Sequence, residues 1–216
     1  MFMTRRTVRG LVPVLLAATA LTGCSAEPEA DGGAKAGKSE KSAGAPAVEA
    51  AARGGTVGAS GSGCELPVTF DVAKDWKPKA VTIDPDSELA ELGTQGPVSM
   101  VCEIDAKPAG HIGFLRVWQG KAEDASPRAT LEGFVKADEN SSKAAYKQVT
   151  AGELTLTEVT YTLHSKLMDE DRPARAFALA TPEGPVVVHL GGLDSDEHGG
   201  MLPAYELAKK SVRLTD

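Results

Sequence analysis

The chain of 216 residues contains 30 acidic and 23 basic side chains, and its formal net charge at pH 7 is −7. An acidic chain is repelled by the phosphates of nucleic acid and by anionic lipid headgroups. The charge therefore argues against nucleic acid as a partner, and against attachment to a membrane by electrostatics alone.

The first 21 residues have the pattern of an export signal. Arg5, Arg6 and Arg9 form a positively charged start that contains no acidic residue. The apolar run that follows, residues 11–21, has about half of the roughly 20 residues that a membrane-spanning helix needs. The pattern predicts a secretory signal peptide over residues 1–23, and it leaves open whether the general or the twin-arginine route exports the chain.

The signal ends in the segment Leu21-Thr22-Gly23-Cys24. This segment resembles the bacterial lipobox, in which the cysteine thiol is diacylated and the peptide is cleaved just before it. The resemblance implies that Cys24 becomes the first residue of a palmitate-bearing lipoprotein on the extracytoplasmic face of the cell membrane. Two acyl chains hold a protein stably, whereas one does so only marginally. The alternative is an ordinary secretory signal followed by a chance cysteine.

Residues 24–63 are predicted to form a disordered tether after the lipidated cysteine. They consist mostly of Ala, Gly, Ser, Glu, Lys and Pro, and they contain no aromatic residue. Such a segment buries too little apolar surface to offset the entropy of ordering it. Every aromatic residue except Phe2 follows the tether, which predicts one globular domain over residues 64–216.

The remaining cysteines are Cys64 and Cys102. An even number of thiols in an oxidising compartment favours a disulfide, and the alternative is two free buried thiols. The chain has no histidine pair at ligand spacing near them, so a metal site is disfavoured.

Alternating apolar and polar residues predict that the domain consists largely of strands. The predicted strands cover residues 66–72, 98–104, 111–119, 155–163, 174–180 and 186–190. Residues 111–119 have apolar and polar side chains mixed on both faces, as expected near the centre of a sheet. Pro182-Glu183-Gly184 predicts a hairpin between the last two strands.

Two segments have the spacing of helices. Ser126 and Pro127 form a typical helix start, and apolar residues then recur at helical spacing up to Val135. Apolar residues recur in the same way from Met201 to Ser211. The pattern as a whole predicts an α+β fold, in which helices pack on an antiparallel sheet.

Three features resemble known families. The segment Leu66-Pro67-Val68-Thr69-Phe70 leads to a turn at Trp76, and the last helix closes with Ser211-Val212-Arg213-Leu214. Both are similar to PsbP-like domains and to LpqN-like envelope lipoproteins of actinomycetes. The order of lipobox, spacer and small acidic domain resembles lipoproteins of the CseA type, which accompany a two-component system that controls an envelope-stress sigma factor. The resemblance implies a PsbP-like fold and a regulatory role, and it carries no catalytic residues.

Two acidic clusters are candidates for cation binding. The segment 194–199 starts like a calcium loop, but Tyr205 occupies the position at which an EF-hand needs a carboxylate. We expect a solvated loop there, and a hairpin tip at Asp169-Glu170-Asp171.

The four histidines, at positions 111, 164, 189 and 198, lie in separate segments, and this spacing disfavours zinc. His111 and His189 stay candidates for pH sensing, although an ordinary strand position is the simpler interpretation. Trp76 and Trp118 are expected in the core, with a ligand groove as the alternative.

No catalytic motif is present in the sequence. Ser60 and Ser62 lie next to glycines but inside the predicted tether, where no strand would orient a nucleophile. We therefore expect no enzymatic activity, metal or cofactor. The predicted function is contact with a membrane sensor or a wall component in envelope-stress signalling, and the alternative is binding of a small apolar ligand.

Overall fold

The computed structural model describes residues 48–84, 87, 90–122 and 126–215. The predicted signal peptide, the lipobox with Cys24 and the predicted tether up to residue 47 lie outside these residues. Among the described helices, none is long and apolar enough to cross a membrane.

Strands dominate the described part of the chain. They are β1 (Arg53–Val57), β2 (Val68–Ala73), β3 (Lys77–Ala80), β4 (Thr94–Gln95), β5 (Val98–Asp105), β6 (Gly113–Gln119), β7 (Ser141–Ala151), β8 (Leu154–Ser165), β9 (Glu170–Leu179), β10 (Val186–Gly192) and β11 (Arg213–Leu214). Helix α1 covers Pro127–Lys136 and helix α2 covers Ser195–Ser211, and short 3₁₀ turns lie at Ala90–Gly93 and Lys107–Ala109.

The strands form two antiparallel sheets. The large sheet has the order β3-β5-β6-β10-β9-β8-β7, and the short β4 pairs with β5. The small sheet has the order β1-β2-β11. Strand β10 lies between β6 and β9, and it is buried along almost its whole length because both of its faces are covered.

Each face of the large sheet carries one helix. On the α2 face, which the small sheet also covers, Phe177 of β9 packs against Tyr205 of α2 with ring centroids 5.5 Å apart. On the opposite α1 face, Trp118 of β6 packs against Phe134 of α1, also at 5.5 Å. The predicted antiparallel α+β architecture is confirmed, with the correction that the domain is mostly sheet. Trp118 and Trp76 are both buried, as expected.

The domain begins earlier than residue 64, where its boundary was predicted. Strand β1 pairs with β2, and Val57 lies opposite Phe70. Val57 is the only fully buried residue of β1, so backbone pairing holds this strand and its sequence lacks the usual alternation. Gly54 allows the close approach, since a Cβ there would lie 2.5 Å from the Cα of Lys74. The predicted tether therefore ends before β1.

Cys64 and Cys102 form the expected disulfide. Cys64 lies in the connection between β1 and β2, Cys102 lies in β5, and their Cα atoms are 5.9 Å apart. The two cysteines are 38 residues apart in sequence, and closing such a loop stabilises a fold by about 4 kcal/mol on the chain-entropy estimate. The bond ties the connection that precedes β2 to the large sheet.

Both helices begin at a side-chain cap. The Ser126 hydroxyl accepts the N–H of Ala129 at 3.4 Å, as the sequence predicted for α1. In α2 the Asp194 carboxylate accepts the N–H of Glu197 at 2.8 Å. The acidic run is thus the first turn of α2 and not the solvated loop that we expected, because carboxylates favour the positive end of a helix.

Candidate ligand-binding pocket

Two of the histidines lie within hydrogen-bond distance of carboxylates of the acidic clusters at the surface. His111 Nδ1 lies 3.2 Å from Glu197 Oε2, and His164 Nδ1 lies 3.2 Å from Asp171 Oδ1 in the β8–β9 hairpin. Within the described residues, no group of three or more His, Cys, Asp and Glu side chains is placed to hold a metal ion. His189 and His198, in contrast, are buried.

A cavity of about 230 Å³ opens on the α1 face, where β6 and β9 begin and where β8 and β10 end. We call it the α1-face pocket, and it is lined by Ile112, Gly113, Phe114, Arg116, Leu163, Arg172, Pro173, Ala174, His189, Leu190, Gly191, Gly192 and Leu193. The pocket exists because α1 is short. Its 10 residues span about 15 Å, whereas the 12 residues of β8 span about 40 Å, so part of the sheet extends beyond the helix.

His189 of β10 is the most deeply buried polar group of the pocket. Only 7% of the residue is exposed, and its ring lies 5.5 Å from that of Phe134 and 6.3 Å from that of Tyr161. Among the described residues, neither ring nitrogen has a hydrogen-bond partner. Buried polar groups are almost always paired, so a histidine with two unpaired nitrogens calls for a physical reason.

The protonation of His189 follows from its surroundings. Burial lowers its pKa to about 3, and the positive charges of Arg116, His198 and Arg172 contribute to the shift. At neutral pH the imidazole is therefore uncharged, with one nitrogen as a donor and the other as an acceptor. His198 of α2 behaves in the same way, since burial and the nearby arginines lower its pKa to about 4.

Two arginines supply positive charge to the same pocket. Arg116 of β6 donates from Nε to Glu103 Oε2 of β5 at 2.8 Å, and its guanidinium lies 4.8 Å from the ring centre of Phe114. Arg172 of β9 donates from Nη1 to the carbonyl oxygens of Gly192 and Leu193. Its Nε is buried without a hydrogen-bond partner among the described residues. The residues that line the pocket include no Asp or Glu, so the pocket is positive within an acidic protein.

Gly191 keeps the space between these groups open. A Cβ at this position would lie 3.8 Å from His189 Nδ1 and 4.0 Å from Arg116 Nη1. An atom in this space would therefore contact the imidazole and the guanidinium together. The arrangement can bind and orient a ligand through charge and hydrogen bonds.

A second buried polar cluster lies on the α2 face. Glu158 of β8 is fully buried, and Lys209 Nζ and the Tyr205 hydroxyl lie 2.8 Å and 3.1 Å from its Oε1. Lys147 Nζ lies 3.0 Å from its Oε2. Burial raises the pKa of Glu158, but the hydrogen bonds and charges of the two lysines outweigh burial and hold the pKa below its usual value. This cluster connects α2 to strand β8 of the large sheet.

Comparison with known proteins identifies the family. A sequence model of a family described as uncharacterised lipoprotein matches residues 34–212. The chain belongs to this lipoprotein family. Membership makes the chain a membrane-associated protein of the cell envelope. No curated protein matches this lipoprotein. It is similar to the solved structure of cyanobacterial PsbP from Synechocystis, with 11% identity, a TM-score of 0.48, and coverage of 81% of this chain and 98% of that one.

The sequence predicted only part of the α1-face pocket of this lipoprotein. His189 was a candidate for pH sensing on a strand, and the structure places it on β10, between β6 and β9. Arg116 and Arg172 were not recognised, because surface arginines are common and no local motif marks them. Their nearness to His189 depends on the order β6-β10-β9 in the sheet, which no short sequence pattern reveals.

Proposed function

We propose that this lipoprotein is a non-enzymatic binding module, held on the extracytoplasmic face of the cell membrane through acylated Cys24, and that its working site is the α1-face pocket. The lipobox segment before Cys24 and membership of a lipoprotein family support the anchor. The pocket supports binding, because its charged and polar groups converge on one space on a rigid sheet.

The observation that carries this proposal is the state of His189. The imidazole is buried at the wall of the pocket, and neither of its nitrogens has a hydrogen-bond partner among the described protein groups. A ligand in the pocket would supply the missing hydrogen bonds. A purely structural histidine at this position would be expected to bond to a neighbouring side chain or carbonyl.

A role in envelope-stress signalling is the second part of the proposal. Ile112 and Leu193 lie at the rim of the pocket and are exposed by 57% and 44%. The N–H of Leu193 donates to the carbonyl of Ile112 at 3.0 Å, so the two apolar side chains stand on one backbone-linked rim. Such a rim suits contact with a membrane sensor, and occupancy of the pocket beside it would alter that contact.

The test uses a deletion strain that carries a reporter of the envelope-stress response. Complementation with His189→Phe keeps an aromatic ring between Phe134 and Tyr161 but removes both nitrogens. We expect the reporter to respond as in the deletion strain, while immunoblotting shows the variant at its normal level in the membrane.

His164→Phe is the matched control, since it makes the same replacement at an exposed histidine outside the pocket. A normal reporter response with His189→Phe would show that the pocket is not the working site. If the deletion itself leaves the reporter unchanged, the signalling role is wrong.

A further inference from the structure

We propose that the α1-face pocket binds a small organic acid, with the carboxylate in the space above Gly191 and the apolar part against Phe114 and Leu163. This inference rests on the proposed function and specifies the chemical class of the ligand. The carboxylate would be shared by His189, Arg116 and Arg172.

The charge of the pocket favours an anion. Two guanidinium groups and no carboxylate line it, although the whole chain has a net charge of −7. Arg116 is partly neutralised by Glu103, whereas the described residues provide no ion pair for Arg172. Arg172 is half-buried, and an anionic ligand would supply the counterion that its guanidinium lacks among the described residues.

Unpaired hydrogen-bonding groups belong to residues that line the same pocket. The described residues leave the Nε of Arg172 and both ring nitrogens of His189 without partners. The space above Gly191 is within 4.0 Å of both His189 Nδ1 and Arg116 Nη1. A carboxylate has two acceptor oxygens in one plane, so it can bond to a guanidinium and to a protonated ring nitrogen at once.

The walls of the pocket point to an organic acid and not to an inorganic anion. Phe114, Leu163 and Ala174 give it an apolar side, which phosphate or sulfate would leave in contact with water. A cavity of about 150 Å³ is known to accept benzene. The present cavity of about 230 Å³ therefore has room for a ring that carries one carboxylate.

The experiment measures binding to the full-length lipoprotein, purified from membranes in detergent. The probes are 4-fluorobenzoate and its neutral analogue 4-fluorobenzamide, followed by ¹⁹F NMR, with inorganic phosphate as a competitor. We expect saturable binding of the acid, at least tenfold weaker binding of the amide, and no displacement by phosphate.

Two variants connect binding to the pocket. Gly191→Ala places a methyl group in the proposed carboxylate space, and its nearest neighbour would be 3.5 Å away, so the fold has room for it. Gly199→Ala makes the same change on α2, where nothing lies within 4 Å. We expect the first variant to weaken binding of 4-fluorobenzoate at least tenfold and the second to leave it unchanged. Arg172→Gln, with its folding checked by circular dichroism, should also weaken binding of the acid.

Each other outcome overturns the inference in a different way. Equal affinity for the acid and the amide would indicate that the pocket recognises the apolar ring and not the anion, and the proposed binding function would stay intact. Displacement by phosphate would indicate an inorganic anion. Binding that Gly191→Ala does not change would place the site elsewhere. If no probe binds, the organic-acid ligand is rejected, and the reporter test with His189→Phe decides the proposed function separately.

Discussion

At the scale of single residues, two of the buried polar side chains, Glu158 and His189, have opposite surroundings. Glu158 is surrounded by Lys209, Lys147 and Tyr205, so its charge is compensated. His189 has aromatic neighbours on both sides and no hydrogen-bond partner among the described residues. The paired carboxylate of Glu158 is typical of a structural network, and the unpaired imidazole of His189 is typical of a ligand-binding site.

The lysines around Glu158 should contribute unequally to stability. Lys209 has a side chain that is 12% exposed, whereas that of Lys147 is 63% exposed. Removing one partner of a buried ion pair costs about 3–5 kcal/mol, and an exposed pair is worth about 0–1 kcal/mol. We expect Lys209→Met to lower the free energy of unfolding in urea by an amount near the lower end of the first range. Lys147→Met is the control and should cost about 1 kcal/mol or less. Equal effects would show that Glu158 does not depend on Lys209.

His189 should make the domain sensitive to acid. Its pKa is about 3 in the folded protein and about 6.5 when unfolded, so between these values the unfolded chain binds more protons. The contribution of His189 to the free energy of unfolding is fully present above about pH 6.5. It is lost as the pH falls, by up to about 1.4 kcal/mol per pH unit. His198 acts in the same direction.

The variant His189→Phe removes this titration and leaves that of His198. We expect urea unfolding between pH 4 and pH 7 to show a shallower loss of stability in the variant than in the unmodified protein. An unchanged slope would mean that the imidazole is protonated in the folded protein, and its proposed neutral state would then be wrong.

At the scale of secondary-structure elements, the ends of the helices shape the site. α1 is too short to cover its face of the sheet, which leaves the pocket open. The N-terminus of α2 follows β10 after two residues, so the backbone at Gly192 lies against that of His198. A Cβ at Gly192 would be 2.8 Å from the backbone nitrogen of His198. This contact packs β10, which carries His189, against α2 on the opposite face of the sheet.

The start of α2 can be tested at its cap. Asp194→Ala removes the acceptor for the N–H of Glu197, and loss of such a cap costs about 1 kcal/mol. Asp194→Asn keeps an acceptor oxygen and should retain most of the stability. Thermal unfolding of the two variants provides the measurement. A calcium-dependent rise in Tm that is lost in Asp194→Ala would instead identify the acidic run as a cation site.

The elements that the sequence predicted are those with several buried apolar side chains in a strand or helix pattern. This holds for β2, β5, β6, β8, β9 and β10 and for both helices, although α2 begins six residues before Met201. Strands β1, β3, β4, β7 and β11 were not predicted. In β7, for example, Ala151 is the only fully buried residue of 11. Such edge strands are stabilised by backbone pairing, which cannot be predicted from the pattern of side chains.

At the scale of the whole molecule, a chain with a net charge of −7 contains a pocket that is lined by two arginines and by no carboxylate. The pocket joins residues from four strands that are far apart in sequence, which is why only His189 among its polar residues was singled out beforehand. The disulfide was easier to predict, because composition and compartment left two cysteines to pair. The predicted signal peptide has three Arg and no acidic residue, so its removal would make the net charge of the chain still more negative.

With that charge, we expect a membrane-associated lipoprotein to depend on a lipid anchor. An acidic chain receives no attraction from anionic headgroups, so acyl chains on Cys24 are the expected means of attachment. Cys24→Ala should therefore leave the chain unprocessed or release it into the soluble fraction, as shown by fractionation and by mass spectrometry of the N-terminus. Ser25→Ala changes the neighbouring residue and should leave attachment unchanged. A Cys24→Ala chain that stays firmly in the membrane at its processed size would show that something other than lipid holds it. The rim formed by Ile112 and Leu193 would then be the first surface to examine.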